Sequence, residues 1–161
     1  MAAEQRCGVL VVGVGNSNRS DDAVGIVVAK RLSDLGGDGV TVLEHSGEGT
    51  GLMETWAGMD TVILVDAVSS GGTPGTVHRL DARATPIPVG LFHHSSHAFG
   101  VAEAVELGRA LGRLPPRLLV YGVVGERFAS GNGLTGAVEG VVQEVVERIV
   151  RDVQTVARRT G

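Results

Sequence analysis

The sequence contains little of several features that would narrow its function at once. Its 161 residues include a single cysteine, Cys7, so no disulfide can form within the chain, as is typical of proteins from a reducing compartment. One tryptophan, one tyrosine and three phenylalanines offer no stacking platform for single-stranded nucleic acid. The formal net charge is −4 and the basic residues are scattered, which argues against binding to any nucleic acid.

Long hydrophobic runs and long polar tracts are also missing. The apolar runs are only long enough for strands, and no charged-then-apolar leader opens the chain, so we expect a cytoplasmic protein without a membrane segment. Without a polar or proline-rich linker, residues 1–161 are most simply one domain, and a domain of this length can bury a full core. A monomer is the simplest expectation for its oligomeric state.

The first part of the chain has the pattern of a strand, a turn and a helix. Gly8–Val12 is a continuous apolar run, typical of a strand that is covered on both faces. Ser20 is the predicted N-cap of the helix that follows, with Asp21 and Asp22 in its first turn. Apolar residues at helical spacing then continue to Leu35.

Strand and helix patterns continue to alternate along the rest of the chain. This alternation predicts an α/β fold, a three-layer sandwich whose twisted sheet of about five strands is mostly parallel, possibly mixed, with helices on both faces. No regular element is predicted between Asp81 and Ser96. The further predicted strands are Val40–Glu44, Thr61–Val65, Thr76–Leu80 and Leu118–Val124, and the further predicted helices are Leu52–Ala57, a segment from Ser95 or Ser96 to Leu111, and a segment that starts at Thr135.

Three residues suited to metal binding are predicted to meet at the carboxyl edge of this sheet, where ligands bind in such folds. Asp22 or Asp21 follows the first strand, Asp66 closes the third, and His97 opens a later helix. Two carboxylates and an imidazole form a recurring ligand set for transition metals. Structural roles are the alternatives: the aspartates of the first turn can complement the helix dipole, Asp66 can anchor a turn, and His97 can cap its helix.

A nucleotide or phosphate-dependent enzyme is a second hypothesis for the same edge. Gly13 and Gly15 follow a strand as in dinucleotide-binding proteins, and Glu44 ends the second strand where such proteins carry an acid. Asn18, however, occupies the position of the third glycine. Two acids at the helix start would also repel a pyrophosphate, so this hypothesis is the weaker one.

Several motifs in order resemble those of the nickel–iron hydrogenase maturation endopeptidases. They are Gly13-Val-Gly-Asn16, Arg19-Ser-Asp-Asp22-Ala-Val-Gly25, Val65-Asp-Ala67, Ser95-Ser-His97 with Gly100, Gly122-Val-Val, and Leu134-Thr135. The resemblance implies an endopeptidase that removes the C-terminal extension of a hydrogenase large-subunit precursor after nickel insertion. It also implies that Asp22, Asp66 and His97 contact that nickel, which arrives with the substrate and is not a tightly held cofactor.

Some features are left open by the resemblance. The stretch after the second strand carries an additional histidine, His45, and an acid, Glu48, whose roles are not assigned, nor are those of His93 and His94. No nucleophile is identified, and water attacking a metal-polarised carbonyl with a carboxylate as base is one route. A non-enzymatic nickel-binding checkpoint module on the same fold is a further alternative.

Overall fold

The computed structural model describes residues 6–69, 72–88, 90–91 and 100–160. Strands and helices alternate through these residues, with a short 3₁₀ turn at Ser20–Ala23 before the first helix. The strands are β1 (Arg6–Val14), β2 (Val40–His45), β3 (Met59–Val68), β4 (Val77–Asp81) and β5 (Arg117–Val124). The helices are α1 (Val24–Leu35), α2 (Gly49–Trp56), α3 (Val101–Ala110) and α4 (Gly136–Thr160).

The five strands form one mixed sheet in the order β2-β1-β3-β5-β4. Strands β2, β1, β3 and β5 are parallel to one another, and β4 runs antiparallel to β5 at one edge. The mostly parallel sheet predicted from the sequence is therefore confirmed. After β1 the chain continues to β2 on one side of the sheet, and after β3 it continues to β4 and β5 on the other side. The point where the connections change direction, the switch point of the sheet, therefore lies between the carboxyl ends of β1 and β3.

Helices cover both faces of the sheet, which confirms the predicted three-layer sandwich. Successive strand residues point to opposite faces, so each strand contributes to two separate cores. On one face Ile63 and Tyr121 pack with Val28 of α1 and Val142 of α4. On the other face the strands pack with residues of α2 and α3, Leu52, Trp56, Ala104 and Val105. None of the helices in the described ranges is long and apolar enough to cross a membrane.

Three local features differ from the sequence prediction. Strand β3 continues to Val68 because its residues stay buried between the two helical layers, so Asp66 lies within the strand and pairs with Gly122 of β5. Ser20 is not an N-cap: α1 begins only at Val24, after the 3₁₀ turn. Gly100, with its N–H bonded to Glu103 Oε2 at 3.1 Å, occupies the N-cap of α3, and the predicted caps Ser95 and Ser96 lie outside the described residues.

Candidate active site

The loop after β1 folds back over the carboxyl end of its own strand. Gly15 has a φ of +152°, and a Cβ at this position would lie 1.9 Å from the carbonyl oxygen of Asp22. The N–H of Asn16 donates to that same oxygen at 3.3 Å, and the N–H of Gly15 donates to His45 of β2 at 3.0 Å. The absence of a side chain at Gly15 is therefore what allows the backbone of Asp22 to approach β1.

The amino end of α1 packs directly against the carboxyl ends of β1 and β3. A Cβ at Gly13 would lie 2.1 Å from the carbonyl oxygen of Gly25, and a Cβ at Gly25 would lie 2.3 Å from Val14 O and 2.4 Å from Val65 O. The 3₁₀ turn just before α1 also contacts β3. This close packing brings Asp22, which belongs to that turn, to the strand that carries Asp66.

Asp66 is a buried acid with a like charge nearby. Its side chain is 5% exposed, and its Oδ1 accepts the N–H of Ala67 at 2.8 Å. Burial, and secondly the negative charge of Asp22, raise the pKa of the Asp66 carboxyl well above its usual range. Asp22 itself is only partly buried. The two carboxylates thus form a site where a cation would remove both the repulsion and the desolvation penalty.

The third predicted site residue, His97, lies outside the described residues, as do His93 and His94. Within the part of the chain that the structure describes, no group of three or more His, Cys, Asp or Glu side chains could hold a metal ion. Of the predicted set, Asp22 and Asp66 are therefore brought together. The role of His97 stays a prediction.

Asp21 has a different environment from its neighbour. Its carboxylate is fully buried and accepts the N–H groups of Glu126, Arg127 and Thr135 at 2.8, 3.0 and 2.8 Å, and the Thr135 hydroxyl at 2.9 Å. Burial acts to raise the pKa of Asp21, but these hydrogen bonds outweigh it and hold the pKa below its ordinary value. The hydrogen bonds of Asp21 therefore go to the segment that leads into α4, and complementing the dipole of α1 stays a prediction for this residue.

Thr135 was expected only as the start of the last helix. It does precede α4, and its carbonyl accepts the N–H of Glu139 at 2.9 Å. Its hydroxyl and N–H groups also meet Asp21, 114 positions away. A contact between such distant positions leaves no local signal in a single sequence.

The backbone of the β1–α1 loop is not arranged to bind a phosphate. A phosphate loop needs several N–H groups that point at the ligand. Here seven of the N–H groups between Gly15 and Asp22 already donate within the protein, which argues against the nucleotide hypothesis. The donors are Gly15, Asn16, Asn18, Arg19, Ser20, Asp21 and Asp22.

The stretch after β2 has structural contacts of its own. Glu48 caps α2: its carboxylate accepts the N–H groups of Thr50 and Gly51, each at 2.9 Å, and the Thr50 hydroxyl. His45 Nδ1 accepts the N–H of Gly47 at 3.0 Å, which orients the imidazole ring. A pocket of about 310 Å³ lies between this stretch and the β1–α1 loop, lined in part by His45 and Asn16.

Comparisons with known proteins agree with this architecture. The hydrogenase maturation protease family model matches residues 26–152. The hydrogenase 2 maturation protease of Escherichia coli K12 is 31% identical over 147 residues, which is 88% of each chain. The hydrogenase expression/formation protein HupD of Rhizobium leguminosarum bv. viciae is 30% identical over 146 residues, 89% of this chain and 72% of the relative.

Two solved structures from Escherichia coli share the fold. The hydrogenase maturating endopeptidase HybD superposes with a TM-score of 0.77 at 28% identity, covering 92% of this chain and 93% of HybD. The solution structure of an endopeptidase gives a TM-score of 0.77 at 31% identity, with 96% and 94% covered. With the family model matching most of the sequence, the chain belongs to the hydrogenase maturation protease family and is a peptidase.

Proposed function

We propose that this peptidase removes the C-terminal extension of a nickel–iron hydrogenase large-subunit precursor after nickel has been inserted. Asp22, Asp66 and His97 would contact the nickel that the precursor carries. The metal is then part of the substrate, and the enzyme needs no tightly held cofactor of its own. Membership of the hydrogenase maturation protease family supports the class of substrate.

The observation that carries the proposal is the pair of carboxylates at the switch point of the sheet. A buried acid beside a second negative charge destabilises a folded protein unless a cation or hydrogen-bond donors compensate it. Among the residues that the structure describes, Asp66 receives one such bond, from Ala67, and its pKa remains raised. An arrangement that costs stability at the place where ligands bind in this fold class supports a functional role.

The ligand chemistry suits nickel held by another protein. Carboxylate and imidazole groups bind first-row transition metals, and a site with so few ligands leaves positions open for groups of the substrate. A precursor without nickel would bring no cation to Asp22 and Asp66, whose mutual repulsion would then persist. Cleavage would in this way depend on completed metal insertion.

A metal-assisted hydrolysis is the mechanism that these residues support. The substrate's nickel would polarise the carbonyl of the scissile peptide bond, and a carboxylate would accept a proton from the attacking water. The water oxygen bonds to the carbonyl carbon, the carbon–nitrogen bond breaks, and the proton passes to the leaving amine. Among the described residues, Asp22 and Asp66 are the candidates for the base.

Substitution of the three residues tests the proposal. Asp22→Ala, Asp66→Ala and His97→Ala should leave the fold intact but reduce removal of the extension by about 10³-fold or more, because each removes a group that acts on the reacting site. The measurement is the mass of purified, nickel-loaded precursor after incubation with each variant. Asp34→Ala, which removes an exposed acid of α1, serves as the control and should process at the wild-type rate.

Two outcomes would reject the proposal in different ways. If all three variants processed the precursor normally, the site would be misplaced. If the wild-type protein bound nickel-loaded precursor but released no peptide from it, the checkpoint hypothesis would replace the peptidase one for this substrate.

A further inference from the structure

Ser20 adopts a backbone conformation that residues other than glycine rarely adopt. Its φ is +51°, and it is the one non-glycine residue with positive φ in the described ranges. Such a conformation is strained and persists only where the surroundings hold it in place. Ser20 lies two positions before Asp22, in the same 3₁₀ turn.

The surroundings that hold this turn come from residues 125–135, which we term the β5–α4 segment. Ser20 donates its N–H to the carbonyl of Gly131 and its hydroxyl to the carbonyl of Ala129, both at 3.0 Å. The N–H of Asp21 donates to the carbonyl of Arg127 at 2.9 Å, and Arg19 Nε donates to Phe128 O at 3.3 Å. The turn is thus bonded to a segment more than 100 positions away in the sequence.

The Asp21 carboxylate joins the two ends of this segment. One oxygen accepts the N–H groups of Glu126 and Arg127, directly after β5, and the other accepts the N–H of Thr135, directly before α4. The side chain also packs against Gly125, where an added Cβ would lie 3.0 Å from Asp21 Cβ. A single buried side chain therefore closes the segment into a loop around the turn.

We propose that Asp21 is a positioning residue for Asp22, acting through the β5–α4 segment; this inference rests on the proposed role of Asp22. Asp22 cannot shift independently of the turn, because its N–H donates to Arg19 O at 3.1 Å and its carbonyl accepts the N–H of Asn16. Asp21 holds the segment, the segment holds Ser20 in its strained conformation, and that conformation directs Asp22 towards Asp66. Asp21 itself faces backbone donors and not the substrate.

The chemistry at Asp21 requires an ionised acid. The described residues that hydrogen-bond to the carboxylate do so as donors, through three backbone N–H groups and one hydroxyl. In Asp21→Asn, the amide NH₂ would replace one oxygen and meet at least one of these N–H groups without an acceptor between them. The segment would shift to relieve this contact, and Asp22 would shift with it.

The test uses single-turnover processing of nickel-loaded precursor at saturating protein. We expect Asp21→Asn to lower the maximal rate per folded molecule by about 100-fold, as a displacement near 1 Å can do. Thr135→Val, which removes one hydroxyl, should lower that rate by about tenfold, and Thr135→Ser, which restores the hydroxyl, should bring it back near the wild-type value. The protein concentration that gives half-maximal rate should change much less than the maximal rate, because only the contact of Asp22 is displaced and the rest of the substrate-binding surface is intact.

Controls separate positioning from a general loss of stability. Thr155→Val removes an exposed hydroxyl of α4 that donates to Arg151 O, and it should keep the full rate. Rates are compared at a temperature where circular dichroism shows every variant folded. If Asp21→Asn does not fold, the Thr135 pair carries the test.

The inference and the proposed function fail differently. If Asp22→Ala abolishes processing while folded Thr135→Val and Asp21→Asn retain the wild-type rate, Asp21 is a structural residue only and the positioning inference is wrong. If Thr135→Ser is as slow as Thr135→Val, the hydroxyl contact is not the cause and the inference fails as well. If Asp22→Ala itself processes normally, the proposed site is wrong.

Discussion

At the scale of single residues, two buried aspartates, Asp21 and Asp66, have opposite environments. Asp21 is surrounded by donors that hold its pKa low, whereas Asp66, whose neighbour in space is Asp22, has its pKa raised by burial and by that neighbour's charge. Several hydrogen bonds compensate the buried charge of Asp21. Within the described residues, Asp66 receives one hydrogen bond, from the N–H of Ala67. Asp21 therefore stabilises the fold around the site, whereas Asp22 and Asp66 are the pair proposed to act on the substrate.

Asp66→Asn should make the isolated protein more stable, although we expect it to abolish processing. The amide keeps an oxygen for the Ala67 N–H and removes a buried charge that Asp22 repels. We expect the free energy of unfolding at neutral pH to rise by about 1 kcal/mol. A gain of this size is typical when a group that serves function at the expense of stability is replaced. Urea denaturation of the two proteins measures it, and a clear loss of stability would contradict the account.

The same comparison has a predicted pH dependence. Because the pKa of Asp66 is raised on folding, its contribution to stability is fully present below the ordinary value of 3.8 and is lost as the pH rises through the raised value. The advantage of Asp66→Asn should therefore be small near the ordinary carboxyl pKa and grow towards neutral pH. An advantage that shrinks as the pH rises would show that the sign is wrong.

Some of this could be predicted from residues alone and some could not. Asp66 was predicted as a site residue because it closes an apolar run that indicates a buried strand. The pattern after the first strand left Asp21 and Asp22 as alternatives, and the family resemblance selected Asp22. The partners of Asp21 were not predictable, since Thr135 is 114 positions away and no local pattern marks such a contact. The left-handed conformation of Ser20 was missed for the same reason, because distant carbonyls impose it.

At the scale of elements, glycines determine how closely α1 approaches the sheet. Gly13 of β1 and Gly25 of α1 face each other at distances that leave no room for a methyl group. The spacing of apolar residues predicted each strand and helix. It could not predict those ends of the elements that are determined by packing against other parts of the protein. The 3₁₀ turn before α1 is one such end, since the close approach of Gly15 and Asp22 replaces the N-cap expected at Ser20.

Gly25→Ala and Gly140→Ala form a matched pair that tests this packing. Both positions are helical, but an added Cβ at Gly25 would lie 2.3 Å from a backbone oxygen, whereas at Gly140 nothing lies within 4 Å. We expect Gly25→Ala to lower the free energy of unfolding by about 3 kcal/mol and Gly140→Ala to raise it by about 0.5–1 kcal/mol. Equal effects in chemical denaturation would contradict the role given to Gly25.

At the scale of the molecule, the strand order creates the site. With β1 and β3 adjacent and their connections leaving in opposite directions, Asp22 and Asp66 meet although 44 positions separate them in the chain. The class of fold followed from the alternation of strand and helix patterns, but the strand order did not, because pairing depends on contacts between whole elements. The general rule for carboxyl edges was sufficient to propose Asp66, His97 and one of Asp21 and Asp22 as candidate site residues without that order.

The most direct test of the account compares nickel-loaded with nickel-free precursor. The measurement is the mass of the large subunit after incubation with the wild-type protein, taken over time at equal concentrations of the two substrates. We predict that the loaded precursor loses its C-terminal extension and that the nickel-free precursor keeps it, because only the former brings a cation to Asp22 and Asp66. Equal cleavage of both precursors would contradict the central claim that these carboxylates recognise the nickel of the substrate.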